Sequence, residues 1–296
     1  MDLLLQQIGN GLALGSLYAL FGLGFGLVFS TLGILNVAHG TFATWGALFS
    51  VWLVIGFDVP FALALVVGLV GAGLLGVVVD EIAFQPLRGR PEFATATLIT
   101  SIAALIILEG LARLATDAQL LRFPTGSVPS GGFDLGTIRL AWSQLIVFAA
   151  LLAVGLALYV LLTKTRFGLA MRAVGQDPDA ASLGGVDPRT VTRVTAFLAA
   201  SAAGLAGILL ALSTNNITFL MGAGLLLKGF AAVVVGGVGD MRGTVLAGLF
   251  LGVAEVLTGE YVGATYQDMV SFGLLIIFLA VRPQGIFKSH IAVERA

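Results

Sequence analysis

The 296-residue chain contains no cysteine, and Asp, Glu, Lys and Arg together make up only 10% of it, against roughly 25% in an ordinary soluble domain. Without cysteine there is no disulfide framework, thiolate metal site or cysteine nucleophile. With so little charge, the surface of a water-soluble domain of this size could not be covered, and a soluble globular fold is excluded. Histidine is scarce, His39 and His290 being the two copies, and no His-Glu-x-x-His pair or Gly-x-Ser-x-Gly elbow occurs. A Gly-x-x-x-x-Gly-Lys-Ser/Thr loop, whose backbone amides and lysine would hold phosphates, is also missing; the Gly-rich run 236–243 lacks its Gly-Lys-Ser/Thr end. No catalytic residue, metal site or cofactor is therefore expected. A net charge of −1 points away from nucleic acid as a partner.

Apolar residues make up 58% of the chain, with 40 glycines and a mean hydropathy of +1.04. A helix needs about 20 mostly apolar residues to cross a bilayer. Nine such segments are predicted near 8–32, 40–56, 60–80, 94–115, 140–163, 191–212, 219–236, 244–258 and 264–282. The run 236–243 reads either as a loop between the seventh and eighth or as a break within one excursion, which leaves eight as the other count. The fold class is an all-α polytopic membrane protein. It forms one transmembrane domain over 1–296, with a first half at 1–115, a bridging helix and loop at 140–190, and a second half at 191–285.

Basic residues set the orientation. Lys164, Arg166, Arg172, Arg189 and Arg193 crowd 164–193, Arg88 and Arg90 lie in the 80–93 loop, and Arg282, Lys288 and Arg295 follow the last span. Segment 116–138 has only Arg122, beside Asp117 and Asp134. The first three regions are expected in the cytoplasm and the fourth outside, with an outside N-terminus and a cytoplasmic C-terminus. No basic residue precedes Arg88, so the first segment is expected to be a structural span and not a cleaved signal.

Four spans before the fifth and four after it make corresponding spans run in opposite directions, the arrangement of inverted-repeat transporters. Each half carries a polar, Gly-containing interruption after its first helix: Asn36-Val37-Ala38-His39-Gly40, and Asn215-Asn216 followed by Gly222 and Gly224. Such paired breaks point to a pathway near the midplane; ordinary turns are the other reading. Asn36 and His39, three apart, share a helical face and read as lining the route or as a hydrogen-bonded turn. In the first span Gly11, Gly15, Gly22, Gly26 and Gly33 form a narrow stripe that lets another helix backbone approach. Glu109 and Arg113, four apart, read as a structural pair. Lys228 and Glu255 stand within apolar runs, where a charge costs about 2.5–3.5 kcal/mol on insertion scales. Snorkelling of Lys228, mutual pairing and solute contact are three ways to meet that cost.

The 164–190 loop reads as a short amphipathic helix over 167–174 and a second short helix through Ala180, Ala181 and Leu183. Asp177 is its cap, Pro178 its first residue, Asp179 lies in its first turn, and Gly184-Gly185 stop it. A docking surface and a passive interfacial loop both fit.

Asp179-Ala180-Ala181 with Gly185 four positions on resembles the EAA-xxx-G loop of ABC importer permeases, with Asp for Glu. The stretches Asn36-Val-Ala-His39-Gly40, Phe167-Gly-Leu-Ala-Met-Arg172-Ala, Ala181-Ser-Leu-Gly-Gly-Val-Asp187, Lys228 through Gly239, and Arg282-Pro283-Gln-Gly285-Ile286-Phe287 are similar to permeases of high-affinity branched-chain amino acid importers. Thr41 stands where many members have an acidic residue. The resemblance implies alternating access in a bacterial inner membrane, with no chemistry of the chain's own. Implied partners are a second permease subunit (a copy or a different chain), two cytoplasmic ATPase subunits and an extracytoplasmic binding protein. Arg172, Asp177, Asp179, Ala180, Ala181 and Gly185 would couple to the ATPase, and Asn36, His39, Gly40, Asn215 and Asn216 would border the pathway. The other readings are a self-sufficient facilitator or secondary transporter for a small neutral solute, or an importer of the same family for an amide, urea or aromatic acid.

Overall fold

The computed structural model describes residues 2–129, 131–135, 138–282 and 284–287. Pro283, Lys288, His290 and Arg295 lie outside them. Helices α1 (Asp2–Leu32), α2 (His39–Phe57) and α3 (Phe61–Val79) open the chain; α3 continues through a π turn (Asp80–Phe84) and a 3-10 turn (Gln85–Leu87). Then come α4 (Phe93–Ala115), an antiparallel hairpin of β1 (Gly132–Leu135) and β2 (Ile138–Ala141), α5 (Trp142–Lys164), and the short α6 (Arg166–Gln176) and α7 (Pro178–Leu183). The second half is α8 (Pro188–Thr214), α9 (Met221–Gly236), α10 (Met241–Tyr261) and α11 (Gln267–Val281).

Among the described residues, eight helices are long and apolar enough to span a membrane. The seventh expected segment is the exception. Its 16-residue helix α9 is about 24 Å long at 1.5 Å per residue, short of a hydrocarbon core of about 30 Å. The eighth, expected over 244–258, is a full helix because Asp240 caps it early, its carboxylate accepting from the Gly243 amide at 2.7 Å. The hairpin has no counterpart in the expected elements.

Contacts between loops define two faces. On one, Gln6 at the start of α1 exchanges hydrogen bonds with the Arg139 backbone of the hairpin, and Leu121 pairs with Ile217 through both backbone bonds. On the other, Glu81 beyond α3 forms ion pairs with Arg189 and Arg193 of α8, at 2.9 Å to Arg189. Gly175 of α6 abuts the backbone of Ser30 near the end of α1. All the basic loops within the described residues lie on this second face.

The packing repeats itself between the halves. α10 lies along α1 as α3 lies along α8; α9 packs on α10 as α2 packs on α3; α1 contacts α9 as α8 contacts α2. The two repeating units are thus α1–α4 and α8–α11, running in opposite directions, with α5 between them. At their centre α1 and α8 pack together and carry more of the buried side chains than any other two helices, while α4, α5 and α11 stay largely exposed at the periphery.

In the small-residue stripe of α1, Gly11 and Gly15 face α10, Gly22 lies against both α10 and α9, and Gly26 against Val233 of α9. A β-carbon built on Gly15 would lie 2.6 Å from the Gly248 carbonyl oxygen, and one on Gly11 would lie 2.6 Å from the Val253 Cα. Gly33 departs from the expected stripe: it follows the end of α1 with φ +65° and forms the turn out of the helix. Gly15→Leu should force α1 and α10 apart, at a cost of about 1–3 kcal/mol for overpacking. Gly155→Leu, with only Leu23 at 3.9 Å, should be silent. Thermal unfolding of the detergent-solubilised protein separates the two.

Candidate translocation site at two buried helix starts

After α1 ends at Leu32, the chain does not turn at the surface. Residues 33–38 fold back, and His39, the first residue of α2, packs its ring edge-on against Phe21 and Phe25 of α1 and against Phe42, with centroids 5.0, 5.6 and 5.7 Å away. Its Nε2 would lie 3.3 Å from a β-carbon on Gly24. Gly24 is eight residues before the end of α1, about 12 Å along the helix, so α2 begins inside the helical layer. His39 is fully buried and Asn36 nearly so.

The second half repeats this descent. Asn215 ends α8 in a left-handed conformation, φ +46°, and its side-chain oxygen accepts from the Phe123 amide at 2.9 Å on the hairpin face. From there residues 216–220 lead inward and α9 starts at Met221. Its second residue, Gly222, meets Gly40, the second residue of α2. A β-carbon on Gly40 would lie 2.8 Å from the Gly222 carbonyl oxygen, and one on Gly222 would clash with the Gly40 carbonyl. The two short-starting helices therefore touch at their N-terminal ends, where the two halves exchange roles. Of the expected pathway residues, Asn36, His39 and Gly40 gather here. Asn215 and Asn216 do not; they are exposed at the hairpin face.

Helix starts buried in a membrane leave amides that need partners. The Gly222 amide donates to Thr44 Oγ1 at 3.1 Å, and the Val37 amide to Ser101 Oγ of α4 at 3.2 Å. The His39 and Thr41 amides donate to the Asn36 and Ala38 carbonyls at 3.2 and 3.0 Å. Thr44 and Ser101 were missed by the sequence reading; each stands among other hydroxyls (Thr41; Thr95, Thr97 and Thr100), so no local signal singles out the one that bonds across a helix contact.

Lys228 and Glu255 meet 2.5 Å apart, Lys228 Nζ also lies 3.1 Å from Asp268, and the Tyr18 hydroxyl donates to Glu255 at 2.9 Å. Ser271 donates to the same carboxylate at 3.3 Å. The ammonium sits 5.5 Å from the Tyr18 ring centroid, a cation–π arrangement. Pairing is thus how these charges are accommodated, with Asp268 leading towards the surface. Glu109 and Arg113 do not pair among the described residues; Arg113 lies over the Phe219 ring.

On the basic face, Asp177 caps α7, its carboxylate accepting from the Asp179 and Ala180 amides at 2.9 and 3.0 Å, and Pro178 takes the first helical position. Gly185 turns the chain with φ +82°. Ala181 is buried against the body, whereas Asp177, Asp179, Ala180 and Leu183 are exposed, Leu183 at 91%. The exposed Arg172 donates to the Leu162 carbonyl and pins α6 under α5. Asp187 caps α8, and the Thr190 hydroxyl holds its carboxyl below the usual carboxylate range.

A sequence model of the family described as branched-chain amino acid transport system / permease component matches residues 7–279. The chain belongs to this family. It is 32% identical, over 95% of both chains, to the high-affinity branched-chain amino acid transport system permease protein BraD of Pseudomonas aeruginosa. It is 28% identical to the LivM permease protein of Salmonella typhimurium, over 91% of this chain and 67% of that one. Among solved structures, PsaBC from Streptococcus pneumoniae, in complex with Fab, aligns with a TM-score of 0.51 at 16% identity, covering 93% of this chain and 91% of that one, and shows the same fold.

Removing one partner of a buried ion pair costs about 3–5 kcal/mol, while replacing both with apolar groups is often neutral. Lys228→Met should therefore lower the thermal midpoint strongly, and Lys228→Met with Glu255→Met should recover most of the loss. Equal midpoints for the single and double variants would show that the pair does not carry this energy.

Proposed function

We propose that this permease forms the path by which branched-chain amino acids cross a bacterial inner membrane, in an importer powered by separate ATPase subunits. The carrying observation is the contact of two buried helix starts, α2 and α9, at Gly40 and Gly222. Helices that begin inside a membrane aim amides and the positive end of their dipoles at the midplane, which suits the carboxylate of a zwitterion. The surrounding Phe21, Phe25 and Phe42 suit an aliphatic body. Asn36 and His39 supply polar contacts on the first-half side, and Asn215 and Asn216 stand at the hairpin-face entrance. A second permease chain, like or unlike this one, completes the route, and a binding protein delivers the solute to the hairpin face.

The basic face is cytoplasmic in this reading, by the excess of Lys and Arg in its loops. There α7 presents Asp179, Ala180 and Leu183 to an ATPase, while Arg172, Asp177, Ala181 and Gly185 fix its position. Movement of α7 passes directly into α8, whose start follows within five residues, and α8 packs against α1 at the centre.

Two outcomes are expected. Single cysteines at Ser127 and Ala180, introduced into this cysteine-free chain, should react with an impermeant reagent from opposite sides of the membrane; reaction from the same side would overturn the orientation. In proteoliposomes with the ATPases and binding protein, leucine, isoleucine and valine should be taken up in an ATP-dependent way, and urea and aromatic acids should not. His39→Leu and Asn36→Leu should reduce uptake about tenfold or more with ATPase assembly retained. ATP-independent uptake would contradict the importer reading.

A further inference from the structure

A narrow cavity of about 10 Å³, the room of a single water, lies where α1 ends, α2 begins and α3 enters its π turn. Val28, Leu32, Phe42 and Phe84 give it apolar walls, and Asn36, His39 and Asp80 bring polar groups to it. These three side chains are more than nine-tenths buried. Asn36 Oδ1, both ring nitrogens of His39 and Asp80 Oδ2 have no hydrogen-bond partner among the described residues. Buried polar atoms without partners are rare, because each costs its full desolvation. Four such atoms, on three residues of one pocket, mark a place for a small hydrogen-bonding guest. Two oxygens that only accept, with an imidazole that can donate or accept, call for a guest with two donors and an acceptor of its own. Water has this pattern, and buried waters typically make about three such bonds.

Asp80 has a second commitment. Its other oxygen, Oδ1, is held by Arg88 at 2.6 Å. The next residue, Glu81, joins Arg189 at 2.9 Å and also pairs with Arg193 at the start of α8, just beyond α7. Asp80 and Glu81 lie in the π turn, an irregularity that often accompanies function. One peptide unit therefore faces the helix break through Asp80 and the basic loops through Glu81.

We propose that an ordered water bridges Asp80 to Asn36 and His39, and that Asp80 is a positioning residue which transmits displacement of the α7–α8 junction to the start of α2. The transmission rests on the transport reading above; the water site does not. When Arg189 and Arg193 shift with α7, they draw Glu81 and the π turn with them. The water-bridged group then moves the α2 start, and with it the Gly40–Gly222 contact.

The test has two arms. Microsecond X-ray radiolysis generates hydroxyl radicals from bound water, so in the assembled complex the fully buried His39 should be oxidised well above background. The buried Met171, which does not line the pocket, defines that background, and exposed Met269 is the positive control. Asp80→Leu should cut His39 oxidation about tenfold with Met269 unaffected; if that variant fails to fold, Asn36→Leu serves the same purpose. Background labelling of His39 in the wild-type protein overturns the water site. In the second arm, Asp80→Asn in the reconstituted importer should lower solute moved per ATP hydrolysed about tenfold with KM for solute unchanged. Parallel loss of hydrolysis and uptake, an unchanged ratio, or a rise in KM overturns the positioning role. Failure of the wild-type complex to take up amino acids falls on the transport reading and leaves the labelling result standing.

Discussion

A polypeptide in a bilayer has no water to satisfy its backbone, so any break in a helix must be covered by protein. The molecule breaks its helices twice, before α2 and before α9, and much of its remaining architecture serves those breaks. The hydroxyls of Ser101 and Thr44 reach across helix contacts to two of the freed amides. Gly40 and Gly222 lack side chains where the helix starts meet. Around them α1 and α8 form a wall dense in glycine and alanine, and α3 and α10 close it from outside. Close approach of backbones replaces the hydrophobic drive that lipid cannot provide.

Charge is placed with the same economy. Among the described residues, buried charge falls into two groups, one on each side of the break. Lys228, Glu255 and Tyr18 tie α9, α10 and α1 together toward the hairpin face, and Asp80 with Arg88 closes the basic face. Neither group sits at the Gly40–Gly222 contact itself, which is bordered by Leu226, the Thr44 hydroxyl and backbone. Among the described residues, the two buried carboxylates, Asp80 and Glu255, are each paired with a cation, as charges at membrane depth must be.

Much of this was legible in the residues. Long apolar runs gave the spans, and capping chemistry gave the loop: Asp177-Pro178 marks a helix start that the structure shows there, while the same signal at Asp187-Pro188 was passed over and α8 begins three residues before the expected 191. The inverted halves followed from the count of spans, and the breaks from two polar, Gly-containing interruptions. What could not be read was depth. A one-dimensional pattern shows that Asn36–Gly40 interrupts a helix, but His39 reaching back to Gly24 depends on how residues 33–38 fold. The same limit explains α9: its apolar run looks like a span, and only the inward path of 216–220 shortens it. Partners across the fold were equally hidden. Mutual pairing was one of three expected ways for Lys228 and Glu255 to meet their cost, but their further partners Tyr18, Ser271 and Asp268 lie outside any local periodicity, and no local pattern links Asp80 to Asn36 and His39.

The central claim is that the buried start of α2 borders the transport route and changes its exposure as the ATPases cycle. Asn36→Cys in the assembled, reconstituted complex tests this most directly, because no native cysteine competes for reagent. Its rate of reaction with a small hydrophilic thiol reagent should be high in one nucleotide state and fall at least tenfold in the other, while a cysteine at the exposed Thr125, which has no place in the route, reacts equally in both. A rate at Asn36→Cys that stays the same in the nucleotide-free and nucleotide-trapped complexes would contradict the account.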